Sequence, residues 1–300
     1  MRFSVAVSHM LPQHALSALV RVAARWRWRP WKNWLIQRVV RGYGVDLAEA
    51  ESADVASYAH FDAFFTRALK PGVRPLDADP RSLLCPADGR ISQAGAIRNG
   101  RIVQAKGRDY SVAELLGDAA ATQRYAEGSF VNVYLSPRDY HRVHMPCAGR
   151  LVETLHIPGR LFSVAPAAVA GVDRLFARNE RLVCHFESEH GLFVVIMVGA
   201  LLVSGISTIW AGHAIPPYAH APQRVRHAGP QLEAGAEMAR FHMGSTVIVL
   251  LPAGAVSLRA NLVPELAVRM GQRLGTLSSP ATDPPRHFVT PSAYTRNRAV

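Results

Sequence analysis

The stretch Leu192–Trp210, LFVVIMVGALLVSGISTIW, decides how this chain folds, because its nineteen uncharged residues admit two incompatible structures. On length alone the run could cross a bilayer as a helix. Its composition argues otherwise: it is crowded with β-branched residues, broken by Gly199 and Ser204-Gly205, and closed by Gly212 and Pro216-Pro217. Two buried strands joined by a turn fit that pattern better than one helix. The polar residues described below lie on both sides of the run, and a single crossing would put a membrane between them.

Around this stretch the chain is long enough for one large domain or two modest ones, with 49% apolar residues in 300 to fill a core. Intrinsic disorder of the bulk is excluded. Thirty-four Lys+Arg against 22 Asp+Glu leave a formal charge of +12 and a pI near 10.3, so the surface attracts anions: nucleic acid, anionic lipid or an acidic small molecule. Cys85, Cys147 and Cys184 are odd in number and lack CxxC spacing, which reads as free thiols and no structural zinc. Near the N-terminus only Arg2 precedes the apolar residues, and His9, Pro12 and His14 interrupt them, so a cleaved signal peptide is not expected.

From Ala15 to Gly44 the apolar spacing is helical, with Trp31, Trp34, Leu35 and Val39 interleaved with Arg21, Arg25, Arg27, Arg29, Lys32, Arg38 and Arg41. Trp and Arg on amphipathic helices suit a membrane interface, where indole sits among headgroups and guanidinium meets lipid phosphate. A basic helix pair packed on its own domain is the plainer alternative. A nucleic-acid groove lacks any accompanying recognition motif. A short helix follows over Ser57–Leu69, and beyond Pro71 the texture changes to apolar runs broken by Gly and Pro. The fold class expected is α+β, with basic N-terminal helices preceding a largely antiparallel β core. The organisation expected is a basic helical region over 1–70, a β-rich core over 71–275 and a disordered tail over 276–300, the first membrane-associating if its Trp and Arg meet lipid and the second catalytic if the polar clusters below meet in it.

Three clusters could carry chemistry. Pro86-Ala-Asp-Gly89 is a turn in which Asp88 can bond the backbone and Gly89 can take positive φ. Tyr134–Cys147 packs two His, two Arg, an Asp and two Tyr between apolar strands, an expensive arrangement unless something uses it. Met243-Gly-Ser-Thr246 precedes the apolar run Val247–Leu251. A hydrolase elbow would want Gly-x-Ser-x-Gly, and position 247 is Val. The other option turns the serine on its own backbone: Gly244 has no Cβ to crowd its carbonyl, so Ser245 Oγ can attack it once a base takes the proton. Asp88 as orienting carboxylate, His144 or His141 as base and Ser245 as hydroxyl make up the grouping such activation needs.

Taken together these segments resemble the phosphatidylserine decarboxylase family, in its bacterial membrane-associated proenzyme form. The matching stretches are Phe61-Asp-Ala-Phe-Phe-Thr-Arg67, Pro86-Ala-Asp-Gly89, Ala105-Lys-Gly107, Tyr134–Cys147, Leu161-Phe-Ser-Val164, Leu175–Arg181, Trp210-Ala-Gly212 and Gly244-Ser-Thr246, collinear over most of residues 45–275. Met243 stands where the bacterial type has Leu, a volume-tolerant exchange.

The resemblance implies a proenzyme that cuts itself between Gly244 and Ser245, leaving a β chain of 1–244 and an α chain that begins at 245. By position, Asp88 orients His144, His144 deprotonates Ser245, and elimination followed by hydrolysis leaves a pyruvoyl group at 245 as a covalent cofactor with no metal. Its carbonyl would form a Schiff base with the amine of phosphatidylserine; His144, or His141 on the substrate side, would return a proton to Cα. It further implies an αβ heterodimer lying peripherally on the cytoplasmic face of an anionic cell membrane, with no nucleic-acid partner. Two rivals remain: a lipid-directed serine hydrolase using the same three residues, and a non-catalytic peripheral protein that binds anionic lipid.

Overall fold

The computed structural model describes residues 12–201, 205–213 and 221–279. The chain is α+β, as expected: helices α1 (Gln13–Arg25), α2 (Arg29–Tyr43) and α3 (Phe61–Phe65) precede the sheets. Pro30 at the first turn starts α2 and Gly44, left-handed at φ +66°, ends it. The helix expected over Ser57–Leu69 is shorter, because Val55–Ser57 forms a separate 3₁₀ turn and the His60 side chain caps α3 by accepting from Ala63 N–H.

Nine strands position the site: β1 (Gly89–Ala96), β2 (Ser129–Leu135), β3 (Arg142–His144), β4 (Gly149–Ile157), β5 (Arg181–Ser188), β6 (Gly191–Val198), β7 (Ile206–Thr208), β8 (Glu237–Phe241) and β9 (Ser245–Leu251). The large sheet runs Gln223–Arg226, β4, β5, β6, β9, β2, β1, Ala267–Val268, every pairing antiparallel. A second sheet runs Gly212–His213, β7, β8, β3. A third joins Ser82–Leu84, Arg273–Leu277 and Val256–Leu258.

The long apolar stretch is therefore β6 and β7, and no helix among the described residues is long and apolar enough to cross a membrane. Both faces of the large sheet are covered, which explains the unbroken hydropathy. Phe193, Val195 and Met197 of β6 enter one core cluster with Val247 and Val249 of β9. Val194, Ile196 and Val198 enter the opposite cluster with Ile248 and Leu250. Alternation is present in space, yet each face is apolar, so the sequence shows no polar beat.

Three expectations need correction. The tail does not begin at 276: Thr276 and Leu277 complete the strand Arg273–Leu277, with Leu277 buried, while residues 280–300 lie outside the described ones. Lys32 is not a surface cation; it is buried, and its Nζ donates to Asn33 Oδ1 and to the Val55 and Ala56 carbonyls. Gly89 does not adopt positive φ. Its missing side chain is needed because a Cβ there would lie 2.2 Å from the Tyr134 carbonyl oxygen.

Candidate active site

Strand register brings two of the three clusters to one end of the large sheet. Ser245 opens β9 opposite Leu135, and Arg90 of β1 lies opposite Tyr134, so the Asp88-Gly89 turn and the Gly244-Ser245 bond flank the same end of β2. From Leu135 the chain loops through Ser136–Tyr140 and enters β3, whose neighbour β8 leads into the turn 242–244. Phe241 N–H donates to the His141 carbonyl at 3.0 Å, and His144 N–H donates to the Pro86 carbonyl at 2.8 Å. The segment 136–144, with His141 at the end of its loop and His144 in β3, thus spans the gap that the turn 242–244 spans, and it is tied to the Asp88 turn.

Ser245 is completely buried, and its Oγ has no hydrogen-bond partner. The buried hydroxyl of Thr246, the Asn132 Oδ1 and the His141 Nε2 are likewise unpartnered. An orphaned buried polar atom costs roughly 1–3 kcal/mol, so a serine hydroxyl left without a partner at the start of β9 argues for chemistry there. Upstream, Met243 sits at φ +92°, where a side-chain-bearing residue is strained by about 1–3 kcal/mol. Gly244 has no left-handed φ, and no atom beyond its chain neighbours would meet a Cβ there. Strain therefore falls on residue 243, and packing alone does not require the glycine.

The structure also fixes which nitrogen of each histidine is basic. His144 Nδ1 lies 2.8 Å from the Gly235 carbonyl oxygen, which can only accept, so Nδ1 carries the proton and Nε2 the lone pair. Nε2 accepts from the Tyr140 hydroxyl at 3.1 Å; burial pushes that hydroxyl up to about 12, which keeps it a donor. His141 Nδ1–H donates to the Asp139 carbonyl at 2.8 Å, and its ring packs on Phe65 at 4.0 Å between centroids. Burial lowers both imidazoles, His141 to about 3, so both are neutral at neutral pH and can take a proton.

Asp88 is not hydrogen-bonded to His144, contrary to the role expected for it. Arg74 grips its carboxylate in a fork, Nε to Oδ1 at 2.9 Å and Nη2 to Oδ2 at 2.6 Å, and Met270 N–H donates to Oδ1 at 2.9 Å. Arg74 also reaches Glu49 at 2.6 Å. The Gly235 carbonyl does the orienting assigned to the carboxylate; against the dominant effect of burial, the charge of Glu237 and, more weakly, that of Asp88 favour the protonated imidazole. Asp88, Arg74, Arg67, Arg138 and Tyr140 line a cavity of about 260 Å³ beside the turn.

A second carboxylate–imidazole couple escaped sequence reasoning. His242 Nδ1–H donates to both Asp62 oxygens, at 2.9 and 3.0 Å, and its Nε2 lies 2.9 Å from Ser207 Oγ. Arg25 of α1 donates to the same carboxylate at 3.1 Å. Burial raises Asp62, but the bond to His242 and the charges of His242 and Arg25 outweigh it and hold the group below the usual carboxylate range. Asp62 lies within the stretch Phe61–Arg67 and His242 just before Met243, but their partnership across 180 residues has no local signature.

A family model described as phosphatidylserine decarboxylase matches residues 61–276, and one described as PSD matches 3–44. The phosphatidylserine decarboxylase proenzyme of Xanthomonas axonopodis pv. citri is 56% identical over 276 residues, covering 91% of this chain and 99% of that protein. The proenzyme of the same name from Stenotrophomonas maltophilia is 55% identical over 279 residues, covering 92% and 100%. With the first model spanning both sheets around the turn 242–244 and relatives more than half identical along almost their whole length, the chain belongs to the phosphatidylserine decarboxylase family.

Proposed function

We infer that the chain is a phosphatidylserine decarboxylase that breaks its own Gly244–Ser245 bond and works on the surface of an anionic membrane. The observation carrying this reading is Ser245 Oγ itself: buried, unpartnered, and two residues beyond a strained Met243. His144 Nε2, neutral and basic, takes the hydroxyl proton, with the Tyr140 hydroxyl moving aside or relaying it. Asp88 stabilises the imidazolium through its charge. Oγ attacks the Gly244 carbonyl, the C–N bond breaks, and the freed nitrogen takes the proton from His144, leaving an ester. Loss of the Cα proton of residue 245 then expels Gly244 as a carboxylate, and water converts the resulting dehydroalanine to a pyruvoyl group with release of ammonia.

Two observations fit that group: the position is completely buried, and the Ser245 hydroxyl has no hydrogen-bond partner to give up. The pyruvoyl carbonyl supplies the electron sink that lets a carboxylate leave as carbon dioxide. His144 or His141 holds the proton that returns to the substrate Cα; His141, wedged against Phe65, takes the substrate side.

The N-terminal helices, within the proposed membrane-associating region 1–70, provide the docking face for a lipid substrate. Leu19, Val22, Trp26, Trp28 and Trp34 are each more than half exposed, and Trp31 stacks on Trp34 at 5.4 Å. Arg27, Arg29, Arg38 and Arg41 are exposed around them. Each basic residue near an anionic leaflet contributes roughly 1 kcal/mol. The protein then lies on the cytoplasmic face as a peripheral αβ heterodimer.

An intact-mass spectrum tests the processing. Wild type should give two chains, the shorter beginning with the converted residue, and Ser245→Ala one uncut chain without decarboxylase activity. A single wild-type polypeptide labelled by a serine-directed phosphonate would instead make the protein a hydrolase. Binding to vesicles with and without phosphatidylserine tests the docking face.

A further inference from the structure

We propose that Asp62, His242 and Ser207 form a positioning clamp that sets the rate of self-cleavage. The inference rests on the reading of Gly244–Ser245 as the processed bond.

Residue 242 is held at three points. Its backbone N–H donates to the Gly205 carbonyl at 3.1 Å, its Nδ1–H to the Asp62 carboxylate, and its Nε2 faces Ser207 Oγ. Asp62 is itself buried in α3 and joined by Arg25 of α1, so the clamp ties the turn to the N-terminal helices. Three residues later the chain is fixed again, because Ser245 pairs with Leu135 and Thr246 with both Tyr134 and Val198. Only Met243 and Gly244 bridge these anchors.

The bridge shows the tension of that span. Met243 takes φ +92° while its side chain packs on the Ala24, Ile36, Phe61, Phe64 and Phe65 cluster. A methionine keeps such a conformation only when its surroundings over-determine it. Attack by Ser245 Oγ breaks the peptide on the taut side, and the strain is relieved as the bond opens. Asp62 and His242 thus speed cleavage without touching the reacting atoms.

The grouping also matches the distances of a hydrolytic triad, but Ser207 is poorly placed to be a nucleophile. It is the middle residue of β7, paired across the ladder with Arg240 on one side and His213 on the other. A nucleophile elbow would present it at a sharp strand-to-helix turn.

The test uses the full chain made by cell-free translation with a radioactive pulse, following the two fragments over time. His242→Ala and Asp62→Ala should each slow cutting about tenfold, the effect expected when strain of this size no longer bears on the bond. The double variant should be no slower than either single one. His242→Asn, whose amide N–H can still bond Asp62 but cannot act as a base, should stay within about threefold of wild type. Thermal melts of the same changes in a Ser245→Ala background must place the assay temperature well below unfolding. Cutting at the wild-type rate in folded His242→Ala overturns the clamp. So does His242→Asn as slow as His242→Ala beside a normal Asp62→Ala, which would make the imidazole an acid–base group. Cutting of Ser245→Ala at the same bond would instead overturn the processing assignment.

Discussion

Asp62 and Asp88 are both nearly buried carboxylates near a histidine and gripped by an arginine, yet they are wired in opposite ways. Asp62 bonds His242 directly, and its arginine, Arg25, is one-third exposed. Asp88 gives both oxygens to Arg74, a side chain almost wholly buried, and reaches His144 by charge alone. The directly bonded couple holds backbone; the other leaves its imidazole Nε2 shared only with a tyrosine hydroxyl, where a proton can be exchanged. Proximity of Asp and His does not make a catalytic pair. What the carboxylate bonds, the ring itself or an arginine, separates the two.

The largest effect should come from the proton-accepting side. His144→Ala is expected to slow self-cleavage more than about 100-fold, the range for loss of a general base, in the same pulse assay. An equal loss in His141→Ala with normal cutting in His144→Ala would exchange their roles.

Next come the two arginines. Arg74→Ala strands the Asp88 carboxylate in a buried site and should cost about 3–5 kcal/mol in denaturant unfolding of the Ser245→Ala precursor. Arg25→Ala removes a partly exposed ion pair and should cost less than about 1 kcal/mol, with Asp62 still held by His242. Equal costs would erase the distinction between the couples.

How far the pattern could be read before folding follows from the same residues. The α+β class was legible because β-branched runs, Gly and Pro mark strands locally, and residues 88, 141, 144 and 245 stood out as polar groups set among apolar segments. Arg74 as the owner of Asp88 was not legible, since an isolated Arg in a loop looks like any solvated charge. Gly235 was hidden for another reason: it orients His144 through a carbonyl, a group every residue carries. The strain at Met243 depends on anchors from three separate elements, and no window of sequence contains them.

A smaller effect is a pH dependence of stability. His141 and His144 are held neutral in the folded chain, so the unfolded chain binds more protons once the pH falls below the ordinary histidine value of 6.5. Stability should then drop by roughly 1.4 kcal/mol per pH unit for each such histidine, for His141 down to about pH 3. Asp62 has the opposite origin but the same sign: depressed when folded, it contributes fully above 3.8, and that contribution is lost as the pH falls through its folded value. Denaturant titrations of Ser245→Ala between pH 7 and 5 read the histidine part, and a flat profile would contradict the buried neutral state.

The smallest effect belongs to Tyr140→Phe, which removes the donor on His144 Nε2. It should cost about 1 kcal/mol and leave cutting at least as fast as wild type. Slower cutting would make the hydroxyl a relay.

The place of β9 in the large sheet bears on what becomes of the protein once it is severed. A fragment beginning at 245, as proposed, would keep an inner strand, bonded to β6 on one side and β2 on the other, and would supply Val256–Leu258 and Arg273–Leu277 to a separate sheet. Pulling it out would mean unzipping the framework of both. The two polypeptides should co-migrate through any native purification and part only in denaturant, so the severed ends can relax around the new group while the scaffold remembers the uncut shape.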